Sequence, residues 1–102
     1  MTYSLTVPGN NINDSRGETA SQVKKNSYVD AGLRVNSTGG AAIDVRTESS
    51  GPDGRWRNVT SSNTYSLDSP QSAGTEVWLQ FSTGIFQGPV PTTGEWIQPL
   101  YL

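Results

Sequence analysis

The chain of 102 residues contains no cysteine and no histidine, and each absence closes off a body of chemistry. Without a thiol there is no disulfide framework, no thiolate nucleophile and no iron–sulfur ligand set, and the redox compartment is left open. Without imidazole there is no Ser-His-Asp triad and no zinc site built on histidine. Charge is sparse too, at 16% of residues with a net −2. All seven basic side chains lie in residues 1–57 beside six acids, and residues 58–102 carry three acids and no base. Neither half makes the basic field that displaces counterions from a phosphate backbone, so no nucleic-acid partner is expected. No apolar run approaches the ~20 residues needed to cross a bilayer, and no cationic start leads into an apolar leader segment. If the protein is exported, its leader has been removed and Met1 is an expression start; a cytoplasmic or virion protein would read the same.

What the chain has in abundance is Ser, Thr, Asn and Gly, together 42 of its residues. Hydroxyl and amide side chains suit turns and the wet face of a sheet, whereas helix surfaces favour Glu, Lys, Gln and Ala. The length fits one domain, residues 1–102, with a single core. Nine aromatics set within alternating segments, and a low net charge, set it apart from a disordered tract.

Period-two alternation marks the strands. Tyr3, Leu5 and Val7 alternate with Thr2, Ser4 and Thr6 before Pro8-Gly9 ends the run. Val29, Ala31, Leu33 and Val35 form a second run and Ala41, Ile43, Val45 and Thr47 a third. With Gly39-Gly40 between them, residues 28–48 read as one hairpin whose wet face carries Arg34, Asp44 and Arg46. Gly51-Pro52-Asp53-Gly54 is a strong turn. Short strands are expected over 56–60 and 64–67, and a clear one over 77–81. Residues 84–94, with three Gly and two Pro, read as loop, and 96–98 as a closing strand. Residues 17–26 fit a turn of helix over Glu18 to Lys25 or, through Thr19, Ser21 and Val23, a polar edge strand; the strand is the reading chosen, and on it Lys24 and Lys25 would discourage strand addition. Seven or eight short strands without a helical period predict an all-β fold, a small antiparallel β-sandwich of jelly-roll or Greek-key type.

Candidate binding residues follow from exposed aromatics, which stack on sugars or anchor a partner. Trp78 alternates onto the face of Glu76 and Gln80, away from Val77, Leu79 and Phe81. Trp56 lies between Arg55 and Arg57, where cation–π packing explains it equally well. Trp96 reads as a core plug. No catalytic residue, metal ligand or cofactor is assigned: the carboxylates lack a cleft, and Asn10, Asn11, Asn13 and Asp14 fit turn chemistry better than a calcium loop. Three Asn-X-Ser/Thr matches, at Asn13, Asn36 and Asn58, are close to chance in so hydroxyl-rich a chain.

A polar basic stretch over 21–26, a Val-rich strand over 28–35, Arg57-Asn58-Val59-Thr60 and Gly94-Glu95-Trp96 occur in that order. In this the chain resembles small exported β-sandwich proteins of Gram-positive bacteria and, more distantly, the lactococcin-type sandwich bacteriocins. The resemblance spans about residues 16–98 and implies an extracellular, non-enzymatic protein of antimicrobial, toxin-related or surface-binding role. The expectation is therefore a non-enzymatic extracellular or surface-associated interaction protein, a bacteriocin-like binder of a cell-envelope component. Two alternatives stand beside it. One is a lectin-like carbohydrate-binding module using Trp78 and Trp56, and the other is a homo-oligomeric structural subunit of a virion or fibre.

Overall fold

A computed structural model describes residues 1–9, 17–24, 29–84 and 87–97. The calcium alternative at residues 10–14, the Asn13 sequon and Lys25 lie outside them. The described residues form nine strands and no α-helix: β1 Thr2–Val7, β2 Gly17–Glu18, β3 Gln22–Val23, β4 Ala31–Ser37, β5 Ile43–Glu48, β6 Arg57–Val59, β7 Asn63–Leu67, β8 Glu76–Ser82 and β9 Val90–Ile97. Among the described residues no helix is long and apolar enough to cross a membrane.

Two antiparallel sheets face each other. One runs β1-β9-β4-β7 and the other β2-β8-β5-β6, with β3 also on β8. Gly17 and Glu18 pair Phe81 and Gln80, while Gln22 and Val23 pair Val77 and Glu76, so β2 and β3 are two pieces of one edge strand. At the break, the Thr19 hydroxyl accepts the Leu79 N–H at 3.0 Å. With that strand counted once, β1 pairs β9, β2/β3 pair β8, β4 pairs β7 and β5 pairs β6. This nested pairing is a long hairpin rolled upon itself, the winding of an eight-stranded jelly roll. The all-β sandwich expected from alternation is the fold.

Alternation also supplies the core. Tyr3, Val7, Leu33, Val35 and Trp96 from one sheet meet Ile43, Val45, Val59, Val77, Leu79 and Phe81 from the other, all buried. Tyr3 and Phe81 have ring centroids 5.2 Å apart. Trp96 is 1% exposed, a core residue as its sequence context suggested.

Three readings of the sequence are corrected. Residues 28–48 are not a hairpin: β4 bonds β7 and β9, whereas β5 bonds β6 and β8, in the opposite sheet. Gly39 and Gly40 both take positive φ, as a tight hairpin turn requires, but the strands leave the turn toward different layers. Thr38 fixes this crossing: its N–H donates to Ser61 Oγ at 2.8 Å, and its hydroxyl donates to the Ala41 carbonyl at 2.5 Å. Arg34 therefore lies on the opposite outer face from Asp44 and Arg46.

The expected loop over 84–94 ends at Val90, because Val90, Thr92, Gly94 and Trp96 alternate inward through β9. Pro91 is tolerated since β9 meets β4 only over Thr93–Ile97, beyond the ring. Gly94 is required where the chain crosses the Arg34 carbonyl and the Tyr3 hydroxyl, both of which a Cβ would strike.

Lys24 does not guard an exposed edge. It is 1% exposed, and Nζ donates to the Val29 carbonyl at 2.5 Å and to Ser69 Oγ at 3.0 Å. Ser69 in turn donates to Gln71 Oε1 at 2.6 Å, and Gln71 Nε2 reaches the Pro52 carbonyl at 2.9 Å. The strand turns inward here because Gly74 N–H donates to the Lys24 carbonyl, drawing the chain beneath the 68–75 segment. Burial lowers the Lys24 pKa, and the nearby Asp30 charge partly opposes this.

Candidate functional site

The outer face of the five-stranded sheet carries half of the candidate residues, Glu76, Trp78 and Gln80. Register places Trp78 opposite Glu48 and Gln80 opposite Arg46 across the β5–β8 pair. On the far side of β5, Asp44 faces Asn58, whose Nδ2 donates to Asp44 Oδ1 at 3.2 Å. Trp78 points outward as alternation requires, but it is half-buried: its Nε1–H faces Glu48 Oε1 at 2.5 Å and Glu18 Oε2 at 3.2 Å. Two carboxylates thus converge on one donor. Burial, followed by the hydrogen bond and charge of Glu18, raises the Glu48 pKa from 4.5 to about 7, against the lowering effect of the Trp78 N–H.

Arg46 links this pair of strands to Trp56. Its Nε donates to Gln80 Oε1 at 2.7 Å, its Nη2 lies 3.6 Å from Asp53 Oδ2, and its guanidinium sits 4.5 Å from the Trp56 ring centroid. Gln80, expected in solvent, faces outward but is buried beneath Arg46. Glu76 is exposed at the start of β8 and accepts a long 3.4 Å bond from Ser21.

Trp56 is 39% exposed and turns the corner from this face into a second feature. It lines a polar groove of about 500 Å³ together with Asp30, Arg55, Arg57, Ser66 and Asp68. Arg55 and Arg57 belong here rather than beside Trp78. The Arg55 backbone N–H donates to Asp68 Oδ2 at 3.1 Å, and its largely exposed guanidinium lies 3.8 Å from the same oxygen. Arg57 sits opposite Val45 and so points toward the inter-sheet side. At the sheet edge its guanidinium spans the gap to β7, 5.1 Å from the Tyr65 ring, with Nη1 donating to the Ser66 carbonyl at 3.3 Å. Ser66 Oγ donates to Asp30 Oδ2 at 3.1 Å and completes the groove wall. The cation stacked on Trp56 is thus Arg46, not either sequence neighbour.

Two guanidiniums balance two carboxylates in the groove, and an indole forms one wall. The arrangement offers hydrogen-bond donors and acceptors in both directions next to an apolar plane. Among the described residues no group of three His, Cys, Asp or Glu side chains is placed to hold a metal ion.

Sequence reasoning missed Glu18, Glu48 and Asp53, and placed Arg46 only on a wet face. The outward alternation of Arg46 and Glu48 was visible, but pairing β5 with β4 hid the fact that they lie opposite Gln80 and Trp78. Compared with protein-family models, curated proteins and solved structures, the chain gives no match.

Proposed function

We propose that the protein is a non-enzymatic, surface-associated binding protein whose ligand is a glycan such as those of a cell envelope. The glycan lies in the groove under Trp56 and extends over the polar face toward Trp78. One observation carries this reading: an exposed indole forms the wall of a groove otherwise ringed by Arg, Asp and Ser side chains. Sugars present apolar ring faces and hydroxyl edges, and this combination meets both at once. Arg46 stacked on Trp56 pre-orders the indole, which reduces the ordering cost of binding. The jelly-roll winding hosts lectins, and equally the subunits of viral capsids, so an assembly subunit is the second reading.

The test is a glycan array that includes bacterial envelope polysaccharides, probed with folded wild-type protein and with Trp56→Ala. Binding by the wild type, weakened about tenfold or more by the substitution, is the expected result. A flat array from folded protein, or a Trp56→Ala variant that binds as well as the wild type, refutes the groove as a glycan site.

A further inference from the structure

A sandwich of this kind has four sheet edges, here β1 and β7 in one layer and β6 and the β2/β3 pieces in the other. Exposed edges invite strand addition unless they are short, charged, interrupted or covered. Three of the four are protected in these ways. Strand β6 has three residues and begins with Arg57. The β2/β3 edge is broken into two-residue pieces, one carrying Glu18. On β7 the Ser66 carbonyl accepts from Arg57, whose side chain lies across the edge.

Strand β1 differs. It has six residues, Thr-Tyr-Ser-Leu-Thr-Val, with no charge, no proline and no glycine. Among the described residues it pairs β9 and no other strand. Its outward side chains, Thr2, Ser4 and Thr6, are exposed, and Leu5 is half-buried. Gly17 approaches Leu5 and Val7 from the inter-sheet side, so among the described residues the open stretch is centred on Ser4.

We propose that β1 is a homodimerisation edge, pairing antiparallel with β1 of a second copy about a two-fold axis at Ser4. The occupant follows from the sequence of the strand. Antiparallel pairing about Ser4 sets Thr2 opposite the partner's Thr6, Ser4 opposite the partner's Ser4, and Tyr3 opposite the partner's Leu5. Inward residues then meet inward residues and hydroxyls meet hydroxyls, a cross-strand combination that is favourable. A charge at the axis would meet its own copy, and β1 carries no charge there or elsewhere along the strand. The contact is isologous and closes at two copies, joining the two four-stranded sheets into one of eight strands.

Sedimentation or light-scattering mass, measured from about 1 µM to about 1 mM, tests the proposal by mass action. The wild type is expected to rise from 11.0 kDa toward twice that value. Ser4→Lys sets like charges against each other at the axis and is expected to hold the mass at 11.0 kDa with an unchanged circular dichroism spectrum. The double variant Thr2→Lys/Thr6→Lys, which sets like charges directly opposite each other on both sides of the axis, replaces it should Ser4→Lys fail to fold. Trp56→Ala, remote from β1, is expected to dimerise like the wild type, which separates this contact from the glycan groove. A wild-type mass fixed at one copy, folded lysine variants that still associate, or growth beyond two copies would each overturn the proposal. Growth beyond two copies would favour the assembly reading instead.

Discussion

At Trp78 a single N–H faces two carboxylates, and the arrangement is satisfied when Glu48 holds its proton toward Glu18. In the unfolded chain Glu48 titrates near its ordinary 4.5, whereas in the fold it holds its proton up to about 7. The folded state therefore binds more protons in that interval. The stability this contributes is complete below about 4.5 and is lost as pH rises through about 7. Thermal melts should show wild-type Tm declining between about pH 5 and pH 8, and Glu48→Gln, which keeps a donor toward Glu18 without the charge, should flatten the decline. Equal declines in both proteins would show that the pair does not control it. The pair was illegible in the sequence because Glu18 and Glu48 are thirty residues apart and meet only through β8. Trp78 itself was legible, since period-two alternation fixes its face without knowledge of its neighbours.

Elements were read well where their inward residues are plainly apolar, as in β1, β5 and β8. They were misread where glycine and proline stood in for breakers. In β9, Pro91 and Gly94 are accommodated by the end of the β4 register and by the close approach of Tyr3, neither of which is a local property. Partner choice is not local either: alternation says which side of a strand is wet but not which strand lies beside it, and the β4–β5 turn reads locally as a hairpin for that reason. Lys24 shows the converse error, a charged residue assigned to solvent that the edge strand carries inside. Lys24→Ala removes a fully buried stem and leaves the Ser69 hydroxyl and Val29 carbonyl short of a donor, so chemical denaturation should show a loss of about 2–4 kcal/mol. Val23→Ala, one residue away and 55% exposed, should change stability by no more than about 0.5 kcal/mol. Similar costs for the two would contradict the buried placement.

For the molecule as a whole, nested pairing means that the outermost ladder joins the most distant segments, with Thr2 beside Glu95. Contacts of such separation must be closed before they stabilise anything, which places all-β folds of this type at the slow end of single-domain folding. Stopped-flow refolding followed by tryptophan emission, dominated by the burial of Trp96, should have a time constant of about milliseconds to seconds, and a microsecond phase carrying the full amplitude would contradict the winding.

That same ladder has a mechanical consequence. The Met1 ammonium donates to the Trp96 carbonyl at 3.1 Å, and Trp96 N–H returns a bond to the Met1 carbonyl at 2.9 Å, so Met1 and Ile97 leave the sandwich from one corner. Tension applied between them acts along the cross-strand bonds in succession instead of shearing them together. Strand β1 would peel from β9 like a zipper, yielding at low force, so a molecule anchored at both ends would act as an extensible link rather than a rigid one.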